Sequence, residues 1–153
     1  VWEKQGFLQT TEGNVVHYGY IEKFIERLGE RFNIREIAFD RWGAVQMVQN
    51  LEGMGFTVVP FGQGFKDMSP PTKELMKLVL EERVAHGGHP VLRWMMDNIF
   101  IRTDPAGNIK PDKEKLTEKI DGAVATVMAL DRAIRYGNDT SESVYDSRGL
   151  LFI

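Results

Sequence analysis

The chain has 153 residues, of which 42% are hydrophobic and 27% are charged, and its formal net charge at pH 7 is −3. This length and composition are typical of one globular domain, and the small net charge gives no general reason to expect nucleic-acid binding, which would need a local basic patch. Because the chain has no cysteine, disulfides, zinc–thiolate sites and cysteine nucleophiles are excluded.

The N-terminal residues carry no recognisable targeting signal. Residues 1–5 do not resemble a signal peptide, and no part of the sequence has the roughly 20 consecutive apolar residues of a membrane helix. We therefore expect a cytoplasmic protein with no membrane span. Since the first residue is Val1 rather than methionine, we also expect the sequence to be a piece of a longer chain.

The first part of the sequence alternates between extended and helical patterns. Apolar residues recur at the helical period of about 3.6 in two segments, and short β-prone runs follow each of them. The predicted elements are, in chain order, two extended pieces around a turn (6–18), a helix (20–32), a strand (34–40), a helix (44–54) and a strand (57–61). The last three form a strand–helix–strand unit, which predicts two parallel neighbouring strands in an α/β fold.

The second part of the sequence is predicted to be mainly helical. Ser69-Pro70-Pro71 has the pattern of a helix start, because a capping hydroxyl precedes proline. Further elements are predicted as a helix (90–97), a strand (99–103), a turn (104–108) and a long helix (116–135). From residue 138 the sequence becomes polar, and we expect a loose C-terminal tail.

Two aspartates are the leading candidates for chemistry. Asp40 ends the predicted strand 34–40, and ligands of α/β folds usually bind at that edge of the sheet. Asp121 lies in the predicted long helix, beside the apolar Ile120 and Val124, where a carboxylate is costly unless a cation offsets its charge. Together they predict a divalent-metal site, because hard cations prefer carboxylate oxygen. The competing structural interpretations are a helix cap for Asp40 and a helix-dipole interaction for Asp121.

Other motifs give weaker signals. His86 and His89 invite a metal interpretation, but no third histidine is nearby and Gly87-Gly88 between them indicates a loop. Gly62-Gln63-Gly64 resembles part of a phosphate loop without its lysine and hydroxyl residues, and a turn is the simpler interpretation. A basic stretch precedes Asp121, made of Lys110, Lys113, Lys115 and Lys119. It is either a solvated face or a surface that binds a phosphodiester backbone.

These residues together resemble the nuclease domain of phage terminase large subunits, which cut and package viral DNA. No single motif is decisive, but their order and spacing along nearly the whole chain are fairly specific. The resemblance is carried by Phe39-Asp-Arg-Trp42, segment 55–65, Ser69-Pro-Pro-Thr-Lys-Glu-Leu75, His89-Pro-Val-Leu-Arg-Trp94, Asn98, segment 104–113, segment 119–130 and the tail segment 143–151.

The resemblance implies an α/β fold of the RNase H-like type, with a mixed sheet flanked by helices, and a partial nuclease domain over 1–137 followed by a tail over 138–153. It implies two Mg²⁺ or Mn²⁺ ions, with Asp40 and Asp121 as metal-binding catalytic acids and with Lys113, Lys115 and Lys119 contacting DNA. The family's third acid, on its first strand, has no counterpart here, so we expect an incomplete N-terminal side. The implied partners are duplex DNA, the portal and the small terminase subunit.

Two alternatives stay open at this point. One is a non-catalytic fragment that docks on the portal, on the small terminase subunit or on DNA. The other is a small-ligand-binding α/β domain that uses the turn at residues 62–64. The absence of a first-strand acid favours the non-catalytic docking fragment. The missing phosphate-loop residues count against the small-ligand-binding domain.

Overall fold

The computed structural model describes residues 1–41, 45–115 and 117–139. Four features used above lie outside these residues: Trp42, residue 44 at the start of the predicted helix 44–54, residue 116 at the start of the predicted long helix, and the tail beyond residue 139. The elements, in chain order, are α1 (Tyr18–Arg31), β1 (Ile37–Asp40), α2 (Val45–Gly53), β2 (Val58–Phe61), α3 (Phe65–Leu80), α4 (Pro90–Asp97), β3 (Ile99–Thr103), β4 (Ile109–Lys113) and α5 (Asp121–Asp139). The expected α/β class is confirmed, and no helix of the described residues is both long and apolar enough to cross a membrane.

The strands form two small sheets. β1 and β2 pair in parallel, with Ile37 opposite Val58 and Asp40 opposite Phe61, and α2 connects them. The predicted parallel strand–helix–strand unit is therefore confirmed. β3 and β4 pair in antiparallel fashion around the predicted turn. In that turn the Asp104 carboxylate accepts hydrogen bonds from the backbone N–H groups of Ala106 and Asn108 and from the Asn108 side chain.

The core lies where α3 and α5 pack on the parallel strands. Its buried residues are Phe61, Met68, Val127 and Met128, and the partly buried Ala38 on β1 packs against them. Met68 and Val127 are each about 1% exposed. Helix α5 packs against both α3 and β1.

The start of α3 differs from the prediction. The helix begins at Phe65 with Gly64 as its N-cap, so Ser69, Pro70 and Pro71 lie in its second turn. Ser69 does not cap the helix; its Oγ accepts a hydrogen bond of 3.1 Å from the backbone N–H of Ile109 on β4. The prolines cannot donate to the helix, and tertiary packing rather than local preference places them there.

Three further predictions need correction. Residues 6–17 form turns and bends rather than strands. Strand β4 was not predicted, because Pro111 and the lysines around it are unusual in a strand. Finally, α5 begins at Asp121, and residues 117–120 before it are not helical, so the long helix starts later than the periodicity predicted.

Candidate functional site

Asp40 and Asp121 line the same cleft. Asp40 is the last residue of β1, and Asp121 is the first residue of α5. The cleft has a volume of about 450 Å³ and is bounded by the end of β1, by β4 and by the start of α5. The packing of α5 on β1 brings together two carboxylates that are far apart in the sequence. Both residues are exposed to solvent.

Three lysines are part of the wall of the cleft. Lys110 and Lys113 on β4 and Lys119 before α5 all line it. Lys110 also lies over the Phe65 ring, with its Nζ 5.2 Å from the ring centroid. Lys115 is not part of the lining formed by the described residues, and its Nζ lies 3.9 Å from Glu118 Oε1. Two of the three lysines proposed from the sequence therefore face the cleft with the aspartates.

The cleft also contains acidic residues that the sequence did not single out. Asp112 on β4 and Glu118 before α5 are both part of the lining. Asp112 is paired with Arg102 on the neighbouring strand, at 2.7 Å between Nη2 and Oδ2, and Glu118 is paired with Lys115. Among the ion pairs of the described residues, none involves Asp121. The predicted turn at residues 104–108 could have indicated a β-hairpin, and a hairpin would have placed Asp112 on its second strand.

The chemistry of the two carboxylates fits a hard divalent cation, although they do not complete a site. Mg²⁺ is often held by only one or two carboxylates, together with water and substrate phosphate. Across the part of the chain that is described, no three His, Asp or Glu side chains are grouped closely enough to hold a metal ion. Asp40 and Asp121 would therefore supply part of the ligand set, and the rest must come from water, phosphate or a further acid.

The turn at residues 62–64 has a structural explanation. A Cβ on Gly62 would lie 2.1 Å from Asp67 Oδ2 and 2.7 Å from Arg41 Nη2. Arg41 and Asp67 form an ion pair of 3.7 Å directly against the glycine. Because the charges of this pair offset each other, it offers no net positive charge to a bound phosphate, so the geometry gives no support to a phosphate loop.

The two loop histidines also have local roles. His86 Nδ1 accepts a hydrogen bond of 3.0 Å from the backbone N–H of Gly88, and Gly87 and Gly88 both have positive φ angles. His89 caps α4, since its Nδ1 accepts from the backbone N–H of Leu92 at 3.4 Å. These contacts explain both side chains without a metal.

A second cleft, of about 580 Å³, lies between the start of β1 and the middle of α5. Its lining includes the small residues Ala125, Ala129 and Ala133. Glu36 and Arg132 also line it, and their hydrogen-bonded ion pair of 2.6 Å joins the two elements. This contact helps to fix α5 relative to β1.

Comparison with known proteins gives a consistent result. Residues 1–136 match the family model described as "Terminase large subunit, endonuclease domain". The chain is 42% identical over 135 residues to the terminase large subunit of Enterobacteria phage HK97, which covers 87% of this chain and 27% of that protein. It is 33% identical over 152 residues to Protein YmfN of Escherichia coli K12, covering 97% of this chain and 33% of that protein. The chain thus spans about a third or less of these relatives.

Solved structures show the same similarity. The crystal structure of the HK97 large terminase matches with a TM-score of 0.77 and 41% identity, over 85% of this chain and 28% of that one. The large terminase nuclease from the thermophilic phage G20c matches with a TM-score of 0.59 over 79% of this chain and 64% of that one. Since the identity to the latter is 15%, that match concerns the fold alone.

Proposed function

The chain belongs to the family of terminase large subunit endonuclease domains, and on that premise we propose that, as part of a longer protein, it hydrolyses phosphodiester bonds of duplex DNA at the cleft between Asp40 and Asp121. The observation that carries this proposal is the common cleft itself. It combines two carboxylates from different elements with lysines from a third. The carboxylates could then bind metal ions, and the lysines could bind phosphate, on one surface.

The proposed cofactor is Mg²⁺ or Mn²⁺, with two ions in a complete site. Asp40 and Asp121 would each hold a metal ion through carboxylate oxygen. When bound, such ions would supply activation of the attacking water and stabilisation of the leaving oxygen. No cysteine or histidine nucleophile is then needed. We propose that a further acid completes the ligand set, because the described residues group no three together.

The proposed contribution of the lysines is to hold the DNA backbone. Lys110, Lys113 and Lys119 all line the cleft beside the aspartates. Their ammonium groups would neutralise phosphates and orient the scissile strand without reading bases. Lys115, whose ammonium is paired with Glu118, would contribute less. Such contacts favour cleavage with little sequence preference.

The proposed biological setting is DNA packaging by a phage or prophage. The HK97 relative is named as a terminase large subunit, and this chain spans about a quarter of its length. We propose that a longer protein containing this chain acts on concatemeric DNA in the host cytoplasm, together with the portal and a small terminase subunit. Residues 1–137 would form the nuclease part and residues 138–153 its tail.

Cleavage of plasmid DNA in Mn²⁺ or Mg²⁺ tests the proposal, in a longer protein that contains this chain and a third acid. Asp40→Asn and Asp121→Asn should each remove most cleavage, because each loses a charged ligand and keeps its shape. Asp97→Asn, at the exposed end of α4, is the matched control and should cleave normally. Metal-dependent cleavage that survives Asp40→Asn would refute the proposed site.

A second candidate is a fragment that binds DNA or packaging proteins without cutting. The absence of a three-carboxylate group among the described residues favours it for this chain alone. We expect the 153-residue chain to cut weakly or not at all, because two acids hold two metals less tightly than three. Strong cleavage by the isolated chain would exclude this candidate.

A further inference from the structure

The last turn of α4 contacts the chain on both sides of Asp121. Asn98 Nδ2 donates a hydrogen bond of 3.1 Å to the carbonyl oxygen of Lys119. The backbone N–H of Gly122 donates to the sulfur of Met95 at 3.1 Å. One contact lies two residues before Asp121 and the other lies one residue after it. The carboxylate is therefore carried by a segment that is held at both ends.

The contact at Gly122 requires close approach of the two helices. A Cβ at this position would lie 2.8 Å from Met95 Sδ and 3.5 Å from Leu92 Cδ1. The first N–H groups of a helix have no acceptor within the helix, and the Met95 sulfur serves as acceptor for the one on Gly122. Glycine thus lets α4 reach the start of α5.

Asn98 is itself firmly placed. It is the C-cap of α4, and its backbone N–H donates to the carbonyl oxygens of Trp94 and Met95. The side-chain amide of Asn98 therefore extends to Lys119 from a backbone position that these hydrogen bonds hold in place. Residues 118–120 are not helical, so the hydrogen bond from Asn98 restrains a stretch that lacks the regular hydrogen bonds of a helix.

We propose that Asn98, assisted by Met95, is a positioning residue for Asp121. This inference rests on the proposed function, since it assumes that Asp121 binds a metal ion. Asn98 acts through the Lys119 carbonyl: the hydrogen bond fixes the segment from which the Asp121 carboxylate projects into the cleft. Groups that orient metal ligands in this way commonly affect metal affinity about 10–100-fold. The same bond also fixes the backbone of Lys119, which lines the cleft.

The test measures binding of Mn²⁺ to the chain by electron paramagnetic resonance of the free ion. Asn98→Ala should weaken Mn²⁺ binding about tenfold. Asn50→Ala is the matched control, because Asn50 Nδ2 also joins two helices, donating to Glu22 Oε1 at 2.8 Å, away from the cleft. It should lower the melting temperature about as much as Asn98→Ala while Mn²⁺ binding stays within about twofold.

A double-variant comparison separates positioning from general stability. In an Asp121→Asn background, Asn98→Ala should cause no further loss of Mn²⁺ binding, since the group that it positions is gone. Met95→Leu keeps the side-chain volume and removes the sulfur acceptor, and a weakening of about threefold is expected. It serves as a second route should Asn98→Ala fail to fold.

The possible failures are distinguishable. If Asp121→Asn weakens Mn²⁺ binding while Asn98→Ala and Met95→Leu do not, the positioning inference is overturned and the proposed function stands. If Asp121→Asn leaves Mn²⁺ binding unchanged, the proposed metal site is itself refuted. Equal losses from Asn98→Ala with and without Asp121→Asn would also overturn the inference, because Asn98 would then act independently of Asp121.

Discussion

Arg132 Nε donates a hydrogen bond of 2.6 Å to Glu36 Oε2 and so joins α5 to the residue immediately before β1. The two side chains are 23% and 17% exposed, respectively. Since β1 ends at Asp40 and α5 begins at Asp121, this ion pair helps to set the relative position of the two elements that carry the candidate acids.

We expect Glu36→Gln to lower the free energy of unfolding at pH 7 by about 1 kcal/mol. A hydrogen bond to a charged group contributes about 1.5–3 kcal/mol, and the partial exposure of this pair reduces the effect. Urea denaturation measures the change. Glu81→Gln is the control, because its pair with Arg83 is longer, at 3.4 Å, and more exposed. A loss as large for Glu81→Gln would contradict the assignment.

The same pair predicts a dependence on pH. The hydrogen bond from Arg132 lowers the pKa of Glu36 below its ordinary value of 4.5, and the positive charge acts in the same direction. A carboxylate whose pKa is lower in the folded chain contributes stability above its unfolded pKa and loses it as pH falls through the folded pKa. The stability difference between the natural chain and Glu36→Gln should therefore be constant above about pH 5.5 and shrink below 4.5. A difference that persisted at low pH would argue against this account.

Gly62→Ala should destabilise the chain by about 1 kcal/mol, because the new Cβ would displace the Arg41–Asp67 ion pair. Combining it with Asp67→Ala should relieve part of the loss, since the closest clash is with Asp67 Oδ2. Thermal unfolding measures both. Gly53→Ala is the comparison: a Cβ there meets nothing within 4 Å, at the end of α2, and we expect a stabilisation of about 0.5 kcal/mol. Equal effects at both glycines would refute the steric argument.

Met68→Ala should cost about 2–5 kcal/mol, because Met68 on α3 is buried in the core with Val127 and Met128 of α5 and its truncation leaves a cavity. Met68→Leu conserves the volume and should cost less than about 1.5 kcal/mol. On the same helix Met76 is 47% exposed, so Met76→Ala should change stability by less than about 0.5 kcal/mol. Chemical denaturation compares the three variants, and similar costs for Met68→Ala and Met76→Ala would be inconsistent with this core.

Lys113→Ala and Lys119→Ala should each weaken binding to duplex DNA and reduce its salt dependence by about one unit of slope. Lys110→Ala should behave alike, and Lys115→Ala should have a smaller effect because of Glu118. Fluorescence anisotropy across a salt series measures these slopes. Lys77→Ala, on the far part of α3 and next to Glu74, should leave the slope unchanged. An unchanged slope in all three cleft variants would refute the phosphate contacts.

The local sequence predicted the helices and strands whose apolar residues follow a regular helical or extended pattern. Helix α1 and the unit β1–α2–β2 are examples, and the predicted strand does end at Asp40. The start of α3 was misplaced because Ser69-Pro70-Pro71 favours a helix start locally, whereas the turn at Gly64 begins the helix one turn earlier. Local preference was overruled by tertiary packing in this case.

The candidate site could be predicted only in part. Asp40 was proposed because it ends a predicted strand, and Asp121 because its carboxylate adjoins the apolar Ile120 and Val124. Asp112 was missed because it lies on β4, where Pro111 argues against a strand. Glu118 lies in an irregular segment without a periodic signal. The place of Asp112 in the cleft depends on the packing of the β3–β4 hairpin against α3. No local sequence pattern encodes that packing.

The segment before α1 gives the molecule a built-in spectroscopic reporter. Trp2 packs on Trp94 of α4, with ring centroids 5.5 Å apart and planes inclined at 57°. Two indoles at this distance and angle couple their electronic transitions, so circular dichroism can register whether the N-terminal segment rests on α4. This reporter lies on α4, the same helix that contacts both sides of Asp121, and needs no added label.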